Sequence, residues 1–457
     1  MSDITAKPFF LTIIISVLLF SGCTVHEIDV SPEPIVSTDD AYSITSPEKV
    51  RAEEVWWAAF NDPDLDTLIR TGLANNFNVL QAVARLDQAS ALSLQARADR
   101  LPQVNVFSDS GQGWREANER ENISRIGADF SWEVDVFNRL GSIALARQSE
   151  QRARRDEIDA VRLRLSAEIA EAYFDAVGWR LQLALLSKQI ETDKNLQDLT
   201  QLRFDSGLTA RVDVLQQSSQ LAETESLVPA VEGALRVSEN RLDVLLGSSP
   251  EGNDRVAAGA TFVDIGSLPF IGVPADLLLQ RPDLRALRSE LIAADAQIGQ
   301  AIAERLPQVT LDGSFLYEDG VDPSGVVARL FGSFIQPLLD WGARKAEVER
   351  NRALYVERLA LFTQKFLEAV EDVENALYLE RQQREFLRRL DRRQKLLSLT
   401  VEETTERYSN GLTDYLPVLD ALKDLQRLER IIVQQRRALL SFRIQLHRAL
   451  GGSLQPR

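Results

Sequence analysis

The chain has 457 residues, 44% of them hydrophobic and 26% charged, a balance that folds and that leaves room for two or three ordinary domains. Its formal net charge of −16 argues against a phosphate-backbone partner, which needs a basic face, so no nucleic-acid partner is expected. One cysteine, Cys23, and two histidines, His26 and His447, exclude an internal disulfide and argue against a Cys/His metal site; no metal and no cofactor is expected.

At the N-terminus, Lys7 precedes an apolar run over 8–20. The run is shorter than the roughly 20 apolar residues a spanning helix needs and has the length of a signal-peptide core. It leads into Leu19-Phe20-Ser21-Gly22-Cys23, which resembles a bacterial lipobox. That resemblance makes 1–22 a lipoprotein signal peptide and Cys23 the acylated first residue of the mature chain. Thr24 in the next position permits sorting to an outer membrane. No later stretch reaches 18 apolar residues, so any membrane crossing must be made by strands.

The strongest internal signal is a duplication offset by about 204 residues. Arg100-Leu101-Pro102-Gln103-Val104 returns as Arg305-Leu306-Pro307-Gln308-Val309. Gly207-Leu208-Thr209 returns as Gly411-Leu412-Thr413, each preceded by an arginine, Arg203 or Arg407. Leu246-Gly247 returns as Leu450-Gly451. The landmarks keep their order, so each half must fold as a similar unit.

In chain order, a helical pattern runs from about Asn78 to Arg100, with Val79, Ala82, Val83, Leu86 and Ala89 at three- and four-residue steps. Pro102 ends it. Strand text follows: Ala128, Phe130, Trp132, Val134 and Val136 alternate with Asp129, Ser131, Glu133 and Asp135. A helical run from about Ser142 to Phe204 has no proline, and its apolar stripe passes through Val161, Leu165, Ile169, Ala172 and Ala176. At 1.5 Å per residue it measures roughly 95 Å. A Gly207 turn and a shorter returning helix, kinked by Pro229, complete the unit. The second copy repeats the plan, with Val309, Leu311, Gly313, Phe315 and Tyr317 alternating with Thr310, Asp312 and Ser314.

The expected organisation is a signal peptide over 1–22 and an extended, lipid-anchored segment over 23–62. The first repeat covers 63–250, with a short helix, two strands over about 103–137, a long helix over about 142–204 and a return helix over about 209–246. A linker over 251–274 leads to the second repeat, 275–451. There a helix is expected over about 283–304, strands over about 309–338, a long helix over about 343–408 and a return helix over about 413–450, with 452–457 as a tail. The fold class is mostly α with a transmembrane β part, four strands per chain. Four strands cannot close a barrel and open edges are not tolerated in lipid, so copies must assemble, as eight strands from two or twelve from three.

Further motifs carry a family resemblance over nearly the whole mature chain. They are Trp56-Trp57-Ala58-Ala59-Phe60-Asn61-Asp62-Pro63-Asp64-Leu65, then Pro274-Ala275-Asp276-Leu277-Leu278-Leu279-Gln280-Arg281-Pro282-Asp283-Leu284-Arg285-Ala286 with its continuation Ala293-Ala294-Asp295-Ala296-Gln297-Ile298-Gly299, and last Arg407-Tyr408, Gly411 and Tyr415-Leu416-Pro417-Val418-Leu419-Asp420-Ala421. Together they resemble the TolC-like outer-membrane factor family, in the NodT-type lipoprotein branch of resistance–nodulation–division efflux systems. The resemblance implies a homotrimer with a 12-stranded outer-membrane barrel and a long periplasmic α-helical barrel. It implies a passive exit duct for drugs or other small molecules, fed by a periplasmic adaptor and an inner-membrane transporter, and no enzyme activity. A structural coiled-coil envelope lipoprotein and the duct of a protein secretion system are the alternatives.

Four candidate sites follow. Cys23 is the lipidation site. Arg203, Gly207, Leu208, Thr209, Arg407, Gly411, Leu412 and Thr413 form two helix–turn–helix tips, with a glycine ending one helix and a threonine able to cap the next; the resemblance makes them adaptor contacts. Glu402, Glu403 and Glu406 would make a carboxylate ring at a periplasmic mouth. Asp129, Glu133 and Asp135, on the polar strand face, would face a lumen. An arginine stripe through Arg381, Arg384, Arg388, Arg392 and Lys395 reads by default as a solvated face.

Overall fold

A computed structural model describes residues 24–37, 41–44, 55–114, 120–319 and 324–453, with backbone alone at 113–114 and 120–121. The signal peptide and Cys23 lie outside the described residues. The chain divides into two units: one holds residues up to Ser37, Val83–Glu157 and Asp283–Lys365, the other Thr38–Ala82, Ile158–Pro282 and from Phe366 onward.

The elements run as helices α1 (Pro63–Asn75) and α2 (Phe77–Ala98), strands β1 (Gln103–Trp114) and β2 (Arg120–Val134), then helices α3 (Arg139–Asp205), α4 (Arg211–Ser226) and α5 (Val228–Leu245). After the linker come α6 (Leu277–Gln280), α7 (Pro282–Ala303), β3 (Gln308–Asp319), β4 (Gly325–Ile335), α8 (Ala343–Ser409) and α9 (Leu416–Ala449). The helices α3 and α8 each have 67 residues, about 100 Å at the α-helical rise.

The first unit is built on one antiparallel four-stranded sheet in the order β1-β2-β3-β4. Its register sets Asp129 opposite Asn105 and Ser314, and Ala128 opposite Val106 and Phe315. Directly paired residues share a face, so one face carries an apolar band through Val104, Val106, Ala128, Phe130, Leu311 and Phe315, and the other carries Asp129, Glu133 and Asp312. Two glycines make room across strands. A Cβ on Gly313 would strike the Phe130 ring at 2.2 Å, and one on Gly127 would strike Leu316 at 2.5 Å. The chain ahead of the first repeat also joins this unit. His26 Nε2 lies 2.6 Å from Asp295 Oδ1, and the Asp29 amide donates to Asp295 Oδ2 at 2.7 Å.

The second unit explains the opening motif. Trp56–Phe60 is a 3-10 helix, so the segment expected to be extended through residue 62 ends in a helical turn. Trp56, Trp57 and Phe60 are buried with Leu65, Ile69, Ile169 and Phe174 in its main core. Asp62 accepts from the amides of Asp64 and Leu65, capping α1, and also from the Tyr173 hydroxyl at 2.9 Å. The return segment after the first tip is two helices rather than one kinked helix. The chain breaks at Leu227, which puts Pro229 in the first turn of α5, where its missing N–H costs no hydrogen bond. In the second copy Pro417 occupies the same kind of place and α9 runs unbroken.

Buried ion pairs tie the linker to these helices. Arg443 meets Glu380 at 2.7 Å and donates to the Ser267 carbonyl at 2.9 Å. Arg384 also bonds Glu380, at 3.0 Å, and the Gly266 carbonyl at 2.9 Å. One member of the arginine stripe is therefore a linker clasp rather than part of a solvated face.

Candidate functional site

The two tips lie in the second unit and have one design. At the first, Gly207 adopts φ +73°, the Leu208 amide donates to the Arg203 carbonyl at 2.8 Å, and the Gly207 amide to the Phe204 carbonyl at 2.9 Å. At the second, Gly411 has φ +73°, with Leu412 to Arg407 at 2.8 Å and Gly411 to Tyr408 at 2.9 Å. These paired bonds satisfy the last carbonyls of a helix whose following residue is left-handed, which glycine does without steric cost. Leu208 and Leu412 project into solvent, 65% and 68% exposed.

The threonines act differently from plain caps. Ala210 holds the cap position of α4, and Asp213 accepts from its amide at 3.3 Å; the Thr209 hydroxyl bonds the same carboxylate. Tyr415 holds the cap position of α9, and Thr413 is half-buried beside it.

The arginines part company. Arg203 Nη1 donates to the Ser409 carbonyl at 3.1 Å, and its guanidinium lies 4.6 Å from the Tyr408 ring centroid. Arg407 is exposed, and among the described residues it pairs with Glu403, at 3.7 Å. Glu402, Glu403 and Glu406 lie on the exposed surface of α8.

Behind the tips is a buried polar layer that sequence reasoning missed. Asp193 on α3 accepts from Gln426 Nε2 and from the Thr224 hydroxyl, both at 2.7 Å. Gln217 donates to the Asp193 carbonyl at 2.7 Å, and the Tyr415 hydroxyl bonds Gln217. Arg430 donates to Gln189 at 2.6 Å. Burial lifts the Asp193 carboxyl above the ordinary carboxylate range, against the hydrogen bonds from Thr224 and Gln426 that pull it down. Burial likewise lowers Arg430. The available signal was Gln217, Gln220 and Thr224 at three- and four-residue steps, a polar stripe where a core stripe belongs.

On the sheet's polar face Asp129 accepts from Asn105 at 3.1 Å, and Asp312 from Ser131 at 2.6 Å. Glu133 is paired with Arg139 at 2.6 Å. Asp135 accepts from the amides of Leu140 at 3.0 Å and Gly141 at 2.7 Å, at the start of α3. Of the three candidate lumen acids, Glu133 is paired with a charge, whereas Asp129 and Asp135 accept from neutral donors.

A chain with two tips of one design, and a sheet with one apolar face and two edges, is a wall segment of an oligomeric membrane duct. Residues 68–248 and 273–452 match the outer membrane efflux protein family, to which this chain belongs. It is 29% identical over 454 residues to Nodulation protein T of Rhizobium leguminosarum bv. trifolii, covering 96% of each chain. It is 28% identical to the pyoverdine export outer membrane protein OpmQ of Pseudomonas aeruginosa, over 88% of this chain and 87% of that one. The solved outer-membrane channel OprN superposes with a TM-score of 0.87 at 29% identity, over 95% of this chain and all of that one. CusC, at 22% identity and a TM-score of 0.85, shares the fold. The chain is the outer-membrane component of a tripartite efflux pump, a homotrimer that works with a periplasmic adaptor and an inner-membrane transporter.

Proposed function

We propose that this chain is a passive exit duct for small molecules, with no chemistry of its own, whose tips dock the adaptor and whose cargo is chosen by its inner-membrane partner. The observation that carries the reading is the four-stranded sheet. Its apolar face suits lipid, its acidic face suits a water-filled lumen, and its edges β1 and β4 must pair with other copies before lipid tolerates them. Relatives bear names as different as pyoverdine export, toluene efflux and cation efflux, which fits a duct that does not itself select cargo. Cys23 anchors the chain by acylation, and Leu208 and Leu412 are the apolar grips for an adaptor. Glu402, Glu403 and Glu406 form an acidic ring at the periplasmic mouth, and Asp129 lines the pore.

The test is conductance of the purified trimer in planar bilayers, together with cross-linking of the adaptor in cells. Leu208→Asp with Leu412→Asp should abolish the adaptor cross-link and leave conductance intact. An undiminished cross-link would move docking elsewhere, and a trimer without conductance would remove the duct.

A further inference from the structure

The strap ahead of the first repeat ends on a seat that belongs to the second. Asp295 lies within α7, and its side chain is 9% exposed. Among the described residues both of its oxygens are served by the strap. Oδ1 lies 2.6 Å from His26 Nε2, and Oδ2 accepts from the Asp29 amide at 2.7 Å. One helical turn on, Gly299 leaves space for the imidazole: a Cβ there would lie 3.5 Å from His26 Cδ2 and 3.0 Å from Ser142 Oγ. Stripped of these two donors, the carboxylate would be left buried and bare, a costly state. The seat is thus built for an occupant 269 and 266 residues earlier in the chain. The next hydrogen bond from the strap to a helix, among the described residues, runs from the Ile35 amide to the Thr363 hydroxyl of α8 at 3.2 Å.

We infer that Asp295 is a positioning residue for membrane assembly, the seat through which an acyl group on Cys23 holds the four-stranded sheet at the lipid surface until other copies close its edges. This rests on acylation of Cys23 and on the duct reading. His26 stands three residues after Cys23, so a seated strap keeps Asp295 within roughly 11 Å, plus the reach of the imidazole, of the acylated residue. From Asp295 to the end of α7 at Ala303 the helix rises roughly 12 Å, and β3 starts at Gln308. With the seat empty, Ile35 becomes the first fastening. The leash then grows from three residues to twelve, roughly 40 Å. The sheet cannot enter lipid alone, because β1 and β4 are unpaired edges. It has to wait at the surface for its partners. The local concentration of a tethered group falls roughly as the −3/2 power of leash length, so a leash about fourfold longer dilutes the waiting sheet about eightfold.

The experiment follows the full chain in cells by pulse-chase, reading the rate at which trimer appears in the outer membrane. Asp295→Asn is made in the wild-type chain and in a Cys23→Ser chain exported without an acyl group. In the acylated chain the substitution should slow trimer appearance about eightfold. In the Cys23→Ser chain it should make no further difference, since no leash is left to shorten. A purely structural role for Asp295 would slow both chains alike, and that result overturns the seat; so does an unchanged rate in the acylated chain. Two further variants cover the case in which Asp295→Asn does not fold. His26→Ala opens the seat from the strap side, and about nine Gly/Ser residues inserted after Thr24 lengthen the leash with the seat intact. Each should slow assembly of the acylated chain alone, and wild-type rates in both overturn the proposal. Mass spectrometry of the wild type reads the anchor: a chain without an acyl group overturns the anchor reading and the seat together. Conductance of the trimers that do form reads the duct, and non-conducting trimers overturn that reading whatever the rates.

Discussion

Replacing Glu380 by alanine removes the carboxylate that Arg384 and Arg443 share. Glu380 is 1% exposed and Arg443 4%, and their contacts are a two-pronged pair at 2.7 and 2.9 Å. The substitution leaves Arg443 charged, buried and held only by linker carbonyls, a state that costs about 3–5 kcal/mol where a buried pair is broken on one side. Arg384 is 37% exposed and can turn toward water, so it adds little. The expected result is a destabilised trimer and new proteolytic cleavage in the linker, because Gly266 and Ser267 are moored by these same guanidiniums. Glu380→Gln keeps the shape and should lose less. Glu380→Leu with Arg443→Met should recover much of the loss, since no bare charge remains. Glu347→Ala, at the exposed Arg350 pair, is the control and should change the unfolding rate little, because solvent screens the pair. Unfolding rates of detergent-purified trimer measure all four. If Glu380→Ala unfolds no faster than Glu347→Ala, the argument from burial is refuted.

Other outcomes follow from the same geometry. Gly207→Ala and Gly411→Ala place a Cβ in open space at φ +73°. Each should therefore cost about 1–2 kcal/mol of purely conformational strain, visible as faster hydrogen exchange confined to the tips; an unchanged exchange pattern would argue against it. Because burial raises the Asp193 carboxyl, the native state binds its proton at a pH where the unfolded chain does not. The stability this provides is complete in acid and is lost as pH rises through the native value. Asp193→Asn should thus raise the melting temperature at neutral pH, with the gain shrinking in mildly acidic buffer; a difference constant across pH would count against the buried charge. Asp135→Ala removes the acceptor of two amides at the start of α3 and should cost about 1 kcal/mol, read as a lower melting temperature with conductance unchanged.

The duplication, the strand faces and the tip glycines were legible in the sequence because each is a local or periodic property. Alternation at a step of two assigns Asp129 and Phe130 to opposite faces whatever the neighbours are, and a glycine after a long helical stripe ends a helix by its own backbone freedom. Which polar residues lie inside is not local. Asp193, Gln217 and Gln426 come from three different helices, α3, α4 and α9, and read singly as solvated positions; only their packing makes them a buried layer. Arg203 and Arg407 occupy equivalent sequence positions, and the tertiary structure alone separates them. Arg203 crosses to the second tip, while Arg407 meets Glu403 on its own helix, because which side of a tip faces another helix is set by packing and not by the repeat.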